Sequence, residues 1–293
     1  RLAALRRFSE KITLRMEVEQ DINKIETKDI PTHDLLCGGF PCQPFSISGS
    51  QRGFEDARGT LLYQILRIVE HSQPKVILLE NVRNYLTHQK GRTMEATLKL
   101  LRDTGYDVFF EVLNSSDFGV PQKRERLFLV CFRKDAGVDK FKFPQPEKVD
   151  VALEDILLPE NDSRLSSLWV DRDDLRLRDS LPTERSNKPL RVGTVGKGGQ
   201  GERVYSPKGH AITLSAFGGG IGAKTGMYLF GDRIRRLHPL ECQKIMGFPD
   251  DFILDENPNV SYKQFGNSVV VSVVSAIAEE IEKALAKASL LAA

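Results

Sequence analysis

Short apolar runs alternate with helical periodicity through the first half of the chain, and this alternation restricts the fold more than any other feature. Asp34-Leu35-Leu36-Cys37, Val76-Ile77-Leu78-Leu79, Tyr106–Val112 and Leu127–Cys131 read as strands. Thr60–Ser72 carries Leu61, Ile65, Ile68 and Val69 on one helical face, and a second helix pattern falls around Thr93–Asp103. Earlier still, Leu2, Leu5 and Phe8 recur at helical spacing, while Ile12, Leu14, Met16 and Val18 alternate as in a strand. Strand–helix alternation predicts an α/β fold, a parallel sheet with helices on both faces.

That pattern stops near Phe143-Pro144-Gln145-Pro146. Residues 151–190 are charged and irregular and include the one tryptophan, Trp169. Two glycine-rich runs follow, Gly196-Lys197-Gly198-Gly199-Gln200-Gly201-Glu202-Arg203 and Ala216-Phe217-Gly218-Gly219-Gly220-Ile221-Gly222. They predict a second, smaller domain of loops and short strands. Val269–Leu285 then reads as a final amphipathic helix. A chain of 293 residues has room for one large domain or two ordinary ones.

Composition excludes several classes. No run of about 18 apolar residues is present, which argues against a transmembrane helix. Arg1-Leu2-Ala3-Ala4-Leu5-Arg6-Arg7 lacks the apolar core of a secretory signal, so a cytoplasmic location is expected. The four cysteines, Cys37, Cys42, Cys131 and Cys242, form no CxxC pair; reduced thiols and no metal site follow. The formal net charge of +2 neither announces nor excludes a polyanionic partner, since a modest sum can hide a basic cleft. No dinucleotide fingerprint is present, which argues against a Rossmann-type oxidoreductase.

Three segments carry chemistry. Gly38-Gly39-Phe40-Pro41-Cys42-Gln43-Pro44-Phe45-Ser46 places a cysteine in a loop straight after an apolar strand. A lone cysteine is by default a small core hydrophobe, and Cys37, Cys131 and Cys242, each inside an apolar run, read that way. Cys42 differs through its neighbours: Glu80-Asn81-Val82 ends a second strand in a carboxylate, and Gln122-Lys123-Arg124-Glu125-Arg126 opens a third with two arginines. A carboxyl with a raised pKa can act as an acid, and guanidinium groups are planar donors for a base carbonyl or a phosphate.

In this order, and with the closing Tyr262-Lys263-Gln264-Phe265-Gly266-Asn267-Ser268-Val269, these segments resemble the cytosine-5 DNA methyltransferases nearly end to end. The resemblance implies a Rossmann-like S-adenosylmethionine-dependent methyltransferase sheet domain plus a smaller loop-rich target-recognition domain. The catalytic part is expected at 1–154 and 265–293, the recognition part with its hinge at 155–264. Catalysis falls on Cys42 as nucleophile, Glu80 as acid, Arg126 as base contact and Arg124 as a further donor for the base carbonyl or for phosphate. The cofactor is expected at Asp21 and Ile22 (adenine), at Pro41, and at Leu61 and Asn267-Ser268-Val269 (methionine end), with Glu17 or Glu19 on the ribose. Double-stranded DNA is the expected partner, met by Gln200, Arg203 and Thr213 and by Ser48 of the lid Phe45–Gly53, with Arg58 on phosphate. Val195–Arg203 is similar over its length to a member that targets GCGC, which implies methylation of the inner cytosine. A cognate restriction endonuclease without direct contact, and a monomer on DNA, complete the expectation. His238 reads as a packed histidine at a helix start.

The family opens with a strand and a Phe-x-Gly-x-Gly-Gly cofactor loop, and no such loop stands here. The stretch between Val18 and Asp34 is also a poor crossover helix. The expectation is that segments of the family pattern are missing, or that a partner chain supplies them. Two rivals follow: an RNA cytosine methyltransferase, and a DNA-binding subunit of a split or incomplete enzyme.

Overall fold

The computed structural model describes residues 21–41, 61–147 and 149–292. Four strands, β1 (Leu35–Gly39), β2 (Val76–Val82), β3 (Tyr106–Asn114) and β4 (Glu125–Arg133), form one sheet in the order β1-β2-β4-β3. β1 lies parallel to β2, but β4 runs antiparallel to both of its neighbours. The parallel sheet expected from the alternation is therefore corrected to a mixed one. The connections explain it. α1 (Leu61–Ser72) follows β1 in the chain and α2 (Arg92–Asp103) follows β2, as the crossovers of parallel strands require. Between β3 and β4 lies only the segment 115–124, with one 3-10 turn at Ser115–Asp117. The chain turns back on itself there, and β4 enters between β2 and β3.

Period-two alternation then assigns each side chain to a layer. Ile77, Leu79, Leu127, Leu129 and Cys131 pack against Leu62, Ile65 and Val69 of α1 and Leu101 of α2. Val76, Leu78, Phe128, Val130 and Phe132 face the other way, onto Val273, Ile277 and Ile281 of α5 (Val271–Ala292). Each such side chain contributes roughly 1.5–3 kcal/mol on burial. Helices thus cover both faces. No helix among the described residues is long and apolar enough to cross a membrane.

One packing expectation is corrected here. Cys131 and Cys242 are buried, but Cys37 is exposed, and its neighbour Leu35 is 43% exposed. Among the described residues β1 is an edge strand, so its apolar run is covered less than its composition suggests.

The later part of the chain forms a second sheet of short strands. These are β5 (Trp169–Val170), β6 (Arg176–Leu177), β7 (Leu190–Thr194), β8 (Arg203–Ser206), β9 (Met227–Phe230) and β10 (Arg233–Arg235), ordered β5-β10-β9-β8-β7-β6. Val192, Val195, Val204, Met227, Leu229 and Ile234 give it a small core of its own. The chain then returns through α3 (Pro239–Ile245) and α4 (Pro258–Asn267), and Cys242, Ile245, Tyr262 and Phe265 join the core beneath the first sheet.

A buried ion pair locks this return. Arg235 Nη1 and Nη2 donate to Glu241 Oε2 and Oε1 at 2.9 and 2.8 Å, both side chains fully buried. Glu241 also accepts from the backbone N–H groups of Leu158 (2.9 Å) and His238 (2.7 Å). His238 caps α3, its Nδ1 accepting from Leu240 N–H at 3.1 Å, in line with its structural reading.

Candidate active site

The parallel register of β1 and β2 places Gly39 opposite Glu80, so the exit of β1 through Phe40 and the carboxylate lie at the same end of the sheet. On the other side of β2, Glu80 pairs with Phe128 and Val82 with Arg126. Two residues apart on β4, Phe128 and Arg126 point to the same face, which brings Arg126 to Glu80 as a diagonal cross-strand neighbour. Arg126 Nε lies 2.8 Å from Glu80 Oε1, the side chains 16% and 21% exposed respectively. Burial pushes the Glu80 carboxyl above its ordinary range, against the pull of Arg126 and Arg124. Burial likewise lowers the Arg126 guanidinium. A shielded carboxyl of this kind holds a proton where a solvated one has lost it.

Gly39 lies beside the carboxylate: a Cβ there would stand 3.5 Å from Glu80 Oε2, in ordinary contact. Buried Asn81 fixes the exit of β1: its Nδ2 donates to Phe40 C=O at 2.8 Å, and its Oδ1 accepts from Val82 N–H at 2.8 Å. Pro41 follows, exposed. Cys42, Ser48, Arg58, Glu17 and the alternative Glu19 lie outside the described residues.

Between the two sheets lies a cleft of about 1070 Å³. From the first sheet it is lined by Arg83, Asn84, Lys123, Glu125 and Arg126, and from the second part by Lys188, Gln200, Arg203 and Thr213. Arg126, Gln200, Arg203 and Thr213 are thus brought to one wall-to-wall space. Five cations, Arg83, Lys123, Arg126, Lys188 and Arg203, face the single lining carboxylate of Glu125, which Arg83 meets at 2.9 Å. The charge that the net sum hides is concentrated here. Arg203 Nε is buried and has no partner among the described residues. Thr213 Oγ1 is already committed to Lys123 C=O at 2.6 Å.

The glycine runs were expected to let backbone approach base edges. Their first use is different. A Cβ on Gly201 would stand 2.2 Å from Gly219 C=O, and Gly222 N–H donates to Gly201 C=O at 2.9 Å. The two loops cross backbone to backbone. Glu202 turns inward to accept from Gly199 N–H at 2.8 Å, and Asp174 holds Gly196 N–H at 2.8 Å. Gly196 and Gly198 take the left-handed backbone that this tight loop needs. At the tip of the second run, Phe217 is 72% exposed, with Lys263 Nζ 5.6 Å from its ring centre.

Arg124 corrects an expectation. It is 3% exposed, it does not line the cleft, and its guanidinium is taken up by three backbone carbonyls. These are Leu214 (3.0 Å), Gly266 (2.9 Å) and Ser268 (2.6 Å). The physical reason is local: β4 begins only at Glu125, so Arg124 sits in the incoming loop and turns inward.

The cofactor candidates fall on two elements. Asp21 caps the 3-10 turn Ile22–Lys24, accepting from Asn23 N–H and Nδ2 at 3.0 and 2.8 Å. Arg67 of α1 holds that turn through Ile22 C=O (3.1 Å) and Ile25 C=O (2.8 Å), and Leu61 starts the same helix. Asn267 ends α4 with its side chain exposed and the carbonyls on either side pinned by Arg124; Ser268 and Val269 follow, half-buried. Lys188 and Arg83 were missed. Lys188 lies in irregular sequence with no periodicity to mark it. Arg83 directly follows Glu80-Asn81-Val82, and its place at a strand end was the available signal.

A family model described as C-5 cytosine-specific DNA methylase matches residues 5–283. The chain belongs to this family. It is 49% identical to the Type II methyltransferase M.HhaI of Haemophilus parahaemolyticus, over 91% of this chain and 81% of that one. It is 38% identical to M.SsoII of Shigella sonnei, over 89% and 67%. Its fold matches the Dnmt2 methyltransferase of S. pombe (TM-score 0.63, 21% identity, 90% of this chain and 83% of that chain). A putative prophage-encoded DNA modification methyltransferase from E. coli also matches (TM-score 0.61, 19% identity, 92% and 86%).

Proposed function

We propose that this chain transfers a methyl group from S-adenosylmethionine to C5 of a cytosine turned out of duplex DNA, the inner cytosine of GCGC. The observation that carries the reading is the shielded Glu80–Arg126 pair beside a cation-rich cleft. GCGC is the target that the Val195–Arg203 resemblance implies. Residues 1–154 and 265–293 act as the catalytic part in this reading, and 155–264 as recognition part and hinge.

C5 of cytosine is a weak nucleophile inside a stacked duplex, so the base must leave the stack before chemistry. Cys42, the residue after Pro41, adds its thiolate to C6, which makes C5 enamine-like. Glu80, whose carboxyl burial pushes above its ordinary range, donates to N3 as the ring gains electrons. Arg126 fixes Glu80 and turns its remaining donors to the base carbonyl. Bound S-adenosylmethionine supplies the electrophilic methyl group; loss of the C5 proton to solvent then breaks the Cys42–C6 bond and returns the thiolate and the methylated base. The residues present fit such a group: the Asp21 carboxylate is an acceptor for an adenine amine, and the exposed Asn267 amide stands on a pinned backbone. Leu61, Pro41, Ser268 and Val269 complete the cradle, with Glu17 or Glu19 on the ribose. Gln200, Arg203 and Thr213, which line the cleft, read the duplex from the major groove, and Ser48 fills the vacated stack. The chain acts as a monomer on cytoplasmic DNA, as the modification partner of an endonuclease with the same target.

The test is a duplex carrying 5-fluorocytosine at the inner cytosine of GCGC, incubated with the chain and S-adenosylmethionine. A covalent adduct on a denaturing gel that requires Cys42 (absent in Cys42→Ala) and the cofactor is expected. Tight duplex binding without an adduct overturns the transfer reading in favour of a binding subunit.

A further inference from the structure

Arg124 is buried where three separate stretches of chain meet. Its own backbone is anchored to β3, with Arg124 N–H donating to Asn114 Oδ1 at 3.1 Å and Ser115 N–H to Arg124 C=O at 3.0 Å. From that fixed base one planar group reaches Leu214 C=O on one side and Gly266 and Ser268 C=O on the other. Leu214 lies between Thr213, on the cleft wall, and the second glycine run. Gly266 and Ser268 flank Asn267. The two stretches also touch without mediation: a Cβ on Gly266 would stand 2.1 Å from Ala216 N and 2.4 Å from Ser215 C. No side chain fits between them, so a displacement of one backbone is felt by the other.

We propose that Arg124 is a positioning residue that ties the segment 213–216 beside the cleft to the Gly266–Ser268 turn, so that occupancy of the duplex cleft and of the cofactor turn stabilise one another. This rests on the proposed function for the identity of the two ligands. It assigns Arg124 no contact with either. The guanidinium is suited to the task because three fixed carbonyls at different bearings need a rigid fork of donors; a lysine ammonium is a single point on a flexible stem. Coupling of this kind is reciprocal, so it is read from either ligand.

The experiment uses the full chain and S-adenosylhomocysteine, whose affinity is measured by calorimetry alone and with a saturating duplex carrying GCGC. In the unaltered chain the duplex should tighten that affinity on the order of tenfold, within the range usual for coupled sites. In Arg124→Gln the ratio should fall to about unity, with Arg124→Lys between, although each variant still binds both ligands singly. A purely structural role would lower the melting temperature and leave the ratio alone; an unchanged ratio in both variants overturns the proposal. An unaltered chain that forms the Cys42 adduct but shows no tightening also overturns it, and leaves the proposed function standing. A chain that binds neither ligand removes the proposed function first. One measurement needs no variant: S-adenosylhomocysteine alone should slow hydrogen exchange of the Ser215, Ala216 and Phe217 amides. Unaltered exchange there overturns the coupling even where the variants fail to fold.

Discussion

Glu80 and Arg126 are held in surroundings that disfavour charge on either, and the pairing does not cancel this for the carboxyl. Its raised pKa has a definite sign. The protonated acid persists above the ordinary carboxylate range, and the single-turnover methylation rate should fall as pH rises through the folded value. The stability that Glu80 contributes runs the same way: present at low pH, lost as pH rises through the raised value. Glu80→Gln should slow the chemical step by about 10²–10⁴-fold and remove that limb of the pH–rate profile while duplex binding is kept. An unchanged profile in that variant would eliminate Glu80 as the acid. The sequence made this pair legible because both residues adjoin apolar strands whose period is unmistakable. The residue types alone did not separate Arg126 from Arg124; only the family resemblance singled out Arg126. Two residues apart in Gln122-Lys123-Arg124-Glu125-Arg126, they look equivalent if the strand is taken to run through both. The strand starts between them, and a boundary of one residue decides which guanidinium lines the cleft.

At the scale of elements, the crossing of the two glycine runs sets what each loop tolerates. Gly201→Ala must force the loops apart, at a cost of about 1–3 kcal/mol in unfolding free energy. Discrimination between a GCGC duplex and a scrambled one should narrow, while affinity for S-adenosylhomocysteine alone is unaltered. Paired titrations check this, and retained discrimination would show that the contact is not needed for reading. Composition announced that loops were here but not that they met, because contacts between distant glycines leave no periodicity. The strand order was hidden for a related reason. Apolar runs mark a strand without giving its direction, and only the lack of room for a crossover between Asn114 and Glu125 gave a clue.

For the whole molecule, the Arg235–Glu241 pair sits where the second sheet hands the chain back to the first core. Removing one partner strands the other without solvent. Glu241→Ala should cost about 3–5 kcal/mol in chemical denaturation, a large part of a typical domain's total stability. Replacing both by apolar residues of similar size should cost markedly less. Comparable losses in the two cases would mean that packing, and not the stranded charge, dominates. None of this was visible beforehand, since Arg235 and Glu241 read as two more charges in a polar stretch. The interlocked glycine runs bear on how such a chain changes its target over generations. An exchange of one loop alone sets a foreign side chain against the Gly219 carbonyl, whereas an exchange spanning 195–222 carries both surfaces together. In the proposed reading specificity is inherited as a pair, and descendants with new targets should differ across that whole interval.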